Sequence, residues 1–111
     1  MKLPNAEDVI IDAEKIQQYI LSSSHPVGRF KAAFFSGKGY SAEKWQILEK
    51  DLRGIIIRED VIKIENTAHG DKYTVKGLLD CPNGEKVKVI TAWIILNGEE
   101  IPRFITVYPG G

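Results

Sequence analysis

Residues 72–109 read "KYTVKGLLDCPNGEKVKVITAWIILNGEEIPRFITVYP". Apolar and polar residues alternate along it, the period of half-buried strands. Asn-Gly interrupts it twice, at Asn83-Gly84 and Asn97-Gly98. Asn-Gly favours the type I′ turn, whose twist matches the strands it joins. Two two-residue loops therefore predict two registers. In the first, Pro82 faces Glu85, Val75 faces Ala92 and Tyr73 faces Ile94. In the second, Leu96 faces Glu99, Ile94 faces Ile101 and Ile90 faces Ile105. Both registers give the same partition. Tyr73, Val75, Gly77, Leu79, Ile90, Ala92, Ile94, Ile101, Ile105 and Val107 form a core face, with Arg103 its odd member. Thr74, Lys76, Leu78, Val89, Thr91, Trp93, Phe104, Thr106 and Tyr108 form the other. A slip of one residue in either hairpin would mix the two sets. Pro102 opposes Trp93 at a non-hydrogen-bonded pair, so the last strand can be a sheet edge.

Upstream, "DVIKIE" at 60–65 adds a strand on the opposite side, ahead of the loop "NTAHGD". Before residue 58 the apolar period changes to three and four, the helical spacing. Asp12 caps a first helix whose stripe is Ile16, Tyr19 and Ile20. Pro26 suits the first turn of a second helix, capped by Ser24 or His25 and running to about Ser36. "GKGY" at 37–40 breaks it, because glycine can take the left-handed conformation that ends helices. Ser41 caps a third helix, buried through Trp45, Leu48, Leu52 and Ile55 or Ile56. The expectation is an α+β fold: three N-terminal helices packed on a four-strand antiparallel meander, one domain over residues 1–111.

The chain has 111 residues, with fifteen basic and fifteen acidic side chains that cancel. That balance argues against a broad nucleic-acid-binding surface but leaves room for a small phosphate pocket. Cys81 is the single cysteine, so an internal disulfide and a Cys-rich zinc site are excluded. Cys81 reads as an ordinary thiol at a strand end. No leader-like or membrane-length apolar run is present, which points to the cytosol. HxxxH, GxGxxG, Walker and GxSxG patterns are absent. No metal and no cofactor are therefore expected.

Two constellations could carry chemistry. His25, Arg29 and Lys31 gather at the start of the second helix, where free backbone N–H groups attract anions. A histidine there can serve as a general base near neutral pH; the plainer reading is a cap beside solvated cations. On the second sheet face, Thr91, Trp93, Thr106 and Tyr108 interleave hydroxyls with aromatic rings beside Lys76. Such a face can bind planar rings or phosphates; the plainer reading is ordinary strand preference. His69, at a loop tip, reads as a surface residue.

"KLPNAEDVIID", "HPVGRFKAAFF", "KYTVKGLLDCPNG" and "ITAWI" followed by "PRFITVYP" together resemble a bacterial domain family of unknown function. The pattern is HPxGRxKAxFF followed by PRxxTxYP. The family occurs alone and as a C-terminal module of larger toxin-like proteins, and the resemblance spans nearly the whole chain. By fold-level analogy the helices and meander also look like the barnase, EndoU, colicin E5 and RelE group of ribonucleases. That likeness implies metal-independent cleavage, with polar side chains around a sheet face that position the 2′-hydroxyl, take its proton and stabilise the phosphorane. No motif of that group matches residue by residue, so the roles are assigned from chemistry and register. His25, Lys31, Thr106 and Tyr108 are the catalytic candidates. Arg29, Lys76, Thr91 and Trp93 are the substrate-binding ones. The expected partner is RNA or a cognate protein. The alternative is a non-catalytic interaction module, using the aromatic face or the edge after Pro102.

Overall fold

The computed structural model describes residues 1–21 and 29–110, with the backbone alone for Tyr19, Arg29 and Phe30. Four antiparallel strands form one sheet in chain order: β1 (Val61–Asn66), β2 (Gly70–Asp80), β3 (Lys86–Leu96) and β4 (Arg103–Pro109). Helices α1 (Arg29–Gly37) and α2 (Trp45–Arg58) precede them, after a short 3-10 turn at Ala6–Asp8 and a wide turn at Lys15–Ile20. The α+β meander is thus the expected one. Its registers are not.

In the first hairpin Tyr73 pairs with Trp93 and Val75 with Thr91, one residue from the predicted register. The cause is a three-residue loop. Cys81 exchanges bonds with Glu85 and Gly84, its N–H donating to Glu85 O at 2.8 Å and its O accepting from Gly84 N–H at 2.9 Å. Pro82 and Asn83 fill the middle of the turn, and Gly84 alone has a positive φ, +90°. Proline favours this arrangement because its fixed φ suits the first central position of a type I turn. In a type I′ turn Asn83 would have needed positive φ as well.

In the second hairpin Ile90 pairs with Tyr108, not Ile105. Glu99 N–H closes a turn on Leu96 O at 2.9 Å, with Gly98 at φ +81°, and Glu100 extends the loop. A bulge between Ala92 and Trp93 then sets Trp93 opposite Phe104 and Ala92 opposite Thr106. Pro102 lies outside that pairing.

These shifts re-sort the faces. Tyr73, Val75, Leu79, Val89, Trp93, Phe104 and Val107 now join one buried cluster with Leu48, Leu52, Ile55 and Ile56 of α2 and Phe35 of α1. Trp93 meets Phe104 edge-on, with ring centroids 5.3 Å apart. Ile90, Ile94 and Arg103 move to the second face, beside Thr106 and Tyr108. Arg103, the misfit of the predicted core, is half-exposed there and held by Glu99 through Nε at 3.0 Å. Trp45 is only partly buried, so α2 is anchored by its leucines and isoleucines instead.

α2 sits close on β2 at Gly77, where a Cβ would stand 2.8 Å from Ile55 Cγ2. The wide turn buries Ile16 and Ile20, as the predicted stripe requires. Its closing bond runs from Leu21 N–H to Ile16 O, five residues back, at 2.8 Å. Asp12 Oδ1 accepts from Glu14 N–H at 3.0 Å, a local cap. α2 begins later than Ser41, whose Oγ accepts from Lys44 N–H at 3.3 Å in a leading turn. β4 is an edge, but its start is covered: Ile10 N–H donates to Pro102 O, and Phe104 N–H to Ile10 O, each at 2.9 Å. No described helix is long and apolar enough to cross a membrane.

Candidate functional site

A cleft of about 660 Å³ lies where the wide turn, α1 and β4 meet. Lys31 enters it from the first turns of α1. Its Nζ donates to Thr106 Oγ1 of β4 at 2.7 Å. The same Nζ stands 5.9 Å from the centre of the Tyr108 ring, within cation–π range. Partial burial holds the Lys31 ammonium below the ordinary lysine value, since a low-dielectric site disfavours charge. Thr106 and Tyr108 share a face because the strand period is two.

The wide turn lines the other wall. Lys15 reaches across, its Nζ donating to Ile105 O at 3.4 Å, and Asp12, Glu14 and Gln18 lie beside it. The lining therefore gathers two carboxylates, an amide and two ammonium groups. Such a site can bind a phosphate at the lysines and exchange a proton at a carboxylate or amine. Sequence reasoning missed Lys15, Glu14 and Gln18. A helical stripe identifies its apolar members, and the polar side then reads as ordinary solvated surface.

Of the residues expected from sequence, Lys31, Thr106 and Tyr108 come together. Lys76 is exposed on the second sheet face, the face of Thr106 and Tyr108. His25 lies outside the described residues, as does the side chain of Arg29. The expected exposure of Thr91 and Trp93 is corrected, because the one-residue register shift turns both inward. Each has no solvent exposure. Trp93 Nε1 donates to Thr91 Oγ1 at 2.8 Å, and Thr91 Oγ1 donates to Val75 O at 2.8 Å. The pair satisfies buried polar groups and touches no solvent. The strand after Pro102 is a sheet edge, as expected, but Ile10 covers its start.

A second polar group lies under the first hairpin. Tyr40 OH donates to Asp51 Oδ2 at 2.6 Å. Burial, with that carboxylate, pushes the phenol far above its usual value. Burial also pushes up the Cys81 thiol, which suits an unreactive group. Lys38 Nζ pairs with Glu85 at 2.8 Å and holds its carboxyl below the usual range. These contacts tie the 37–40 turn to the hairpin loop. His69 is exposed, as expected. Among the described residues no cluster of three or more His, Cys, Asp or Glu could hold a metal ion.

The chain belongs to the family described as "Domain of unknown function (DUF6883)", whose model matches residues 2–111. No curated protein matches it. Its fold is similar to that of a chain in the "Contact-dependent growth inhibition toxin - immunity protein complex from Klebsiella pneumoniae 342". The TM-score is 0.74 at 14% identity, over 96% of this chain and 97% of that one.

Proposed function

We propose that this domain is a metal-independent, ribonuclease-like module of the toxin type, acting at the cleft between the wide turn, α1 and β4. One observation carries the reading: Lys31 Nζ bonds Thr106 Oγ1 at 2.7 Å beside the Tyr108 ring, in that cleft. The fold likeness to a chain of a toxin–immunity complex supports the toxin setting.

In this reading a phosphodiester displaces the Lys31–Thr106 contact and takes both partners. A base removes the 2′-hydroxyl proton, and the 2′-oxygen attacks phosphorus. Negative charge grows on the equatorial oxygens, where Lys31 and the Thr106 hydroxyl stabilise it. The 5′-oxygen leaves with a proton. His25, six residues before Lys31, is the proton carrier assigned from sequence, and Glu14 is the one the cleft wall adds. Lys76 and Arg29 are binding residues for neighbouring phosphates.

Analysis of the product ends tests the route. The expected ends are a 2′,3′-cyclic phosphate and a 5′-hydroxyl, with a fully 2′-deoxy strand left intact. Cleavage of the 2′-deoxy strand would refute the 2′-hydroxyl step. A second reading is an interaction module, supported by exposed Leu78 and Tyr108 beside half-exposed Ile90 and Ile94. It prevails if the protein neither cleaves RNA nor binds a nucleotide.

A further inference from the structure

β1 is the edge of the sheet opposite the cleft. Thr67 and Gly70 exchange both backbone bonds, Thr67 N–H to Gly70 O at 2.9 Å and the reverse at 3.4 Å. Hydrogen-bonded pairs alternate in an antiparallel ladder. The next such pairs are therefore Glu65 with Lys72 and Lys63 with Thr74, both present in the register. The backbone groups of Ile64 and Asn66 consequently point away from β2. Among the described residues the N-terminus covers the start of this edge, where Val61 N–H donates to Met1 O at 2.7 Å. Beyond it, Ile62 is 61% exposed and Ile64 46%.

We infer that this edge pairs with β1 of a second copy of the chain, antiparallel about a two-fold axis at Ile64. The charge order sets that occupant and that register. With Ile64 opposite its own copy, the backbone groups of each Ile64 meet in a hydrogen-bonded pair. Lys63 then lies opposite Glu65 of the other copy, and Glu65 opposite its Lys63. These two are non-hydrogen-bonded pairs, where Cα atoms approach to about 4.5 Å and side chains interact most closely. An exposed edge lysine ordinarily keeps strands apart. Here each lysine meets a carboxylate, and the same patch serves both copies, as a two-fold interface requires. Within one chain Lys63 and Glu65 already sit 3.4 Å apart, so both charges occupy the same side of the strand. The two Ile64 side chains lie together on the helix side, the side of their pair partner Tyr73. The two sheets become one eight-strand sheet, with a cleft at each far edge. This inference is independent of the catalytic reading.

Sedimentation of the full chain over a concentration series into the millimolar range tests it. The expected result is a reversible rise to twice the monomer mass. Lys63→Glu sets carboxylates against each other, and Glu65→Lys sets ammonium groups against each other. Each variant alone should associate about tenfold more weakly or less. An equal mixture of the two restores complementary pairs and should recover the dimer. Ile64→Pro should abolish it with the fold kept, because the N–H it removes points away from β2 in this register. A wild-type protein that stays monomeric throughout overturns the inference. So does a dimer unaffected by the charge variants.

Discussion

Thr91 shows how one side chain can look like a binding group and serve as a support. Its hydroxyl accepts from Trp93 Nε1 and donates to Val75 O, all within the core. Thr91→Val keeps the shape but leaves the buried Trp93 Nε1 without its acceptor, which should cost about 1–3 kcal/mol. A urea midpoint unchanged in Thr91→Val would refute the bond network. Lys31 shows the opposite case. Its ammonium is held below the ordinary value of 10.5 by burial. The unfolded chain therefore binds more protons between the folded and unfolded pKa values, and stability rises with pH in that window. Above 10.5 the rise is complete, and below the folded pKa it is gone. Replacing Lys31 by Met should remove this increment from the alkaline end of a stability–pH curve. An identical alkaline slope in Lys31→Met would show that the lysine is not held by burial.

At the scale of elements, the strands, their order and their antiparallel sense were legible from period and turn residues. The registers were not, for a local reason. Asn-Gly alone indicates a two-residue loop, but Pro82 ahead of it fixes a type I turn and moves Gly84 to the left-handed position. Arg103 in the predicted core was the visible conflict, and the bulge opposite Trp93 resolves it. The face of Thr106 and Tyr108 survived because the two hairpin shifts, one residue and three, turn β4 over twice. Phe104, on the near side of the bulge, turned over once and joined the core. α2 depends on close approach to β2. Gly77→Ala would set a methyl 2.8 Å from Ile55 Cγ2 and 3.0 Å from Glu59 Cγ. Overpacking of this kind costs about 1–3 kcal/mol, so thermal denaturation should show a clearly lower midpoint. A midpoint equal to wild type would mean α2 shifts freely on the sheet.

Across the whole molecule, the two sheet edges have different surroundings. β4 meets the wide turn and α1 at the cleft, while β1 leaves backbone groups and two isoleucines outside. Lys31 and Thr106 are 75 residues apart in sequence, so no spacing rule could join them. Only their chemical types were readable, and the fold supplied the meeting. The charge balance of fifteen against fifteen conceals this local arrangement. The most direct test is RNA cleavage by the purified chain in excess chelator, with wild type and Lys31→Ala compared at one pH. Loss of a preorganised charge beside a reacting phosphate typically lowers the rate by about a hundred- to a thousandfold. The expected result is cleavage by wild type, that loss in Lys31→Ala, and an unchanged circular dichroism spectrum. Equal cleavage by the two proteins, or activity only when a divalent metal is added, would contradict it.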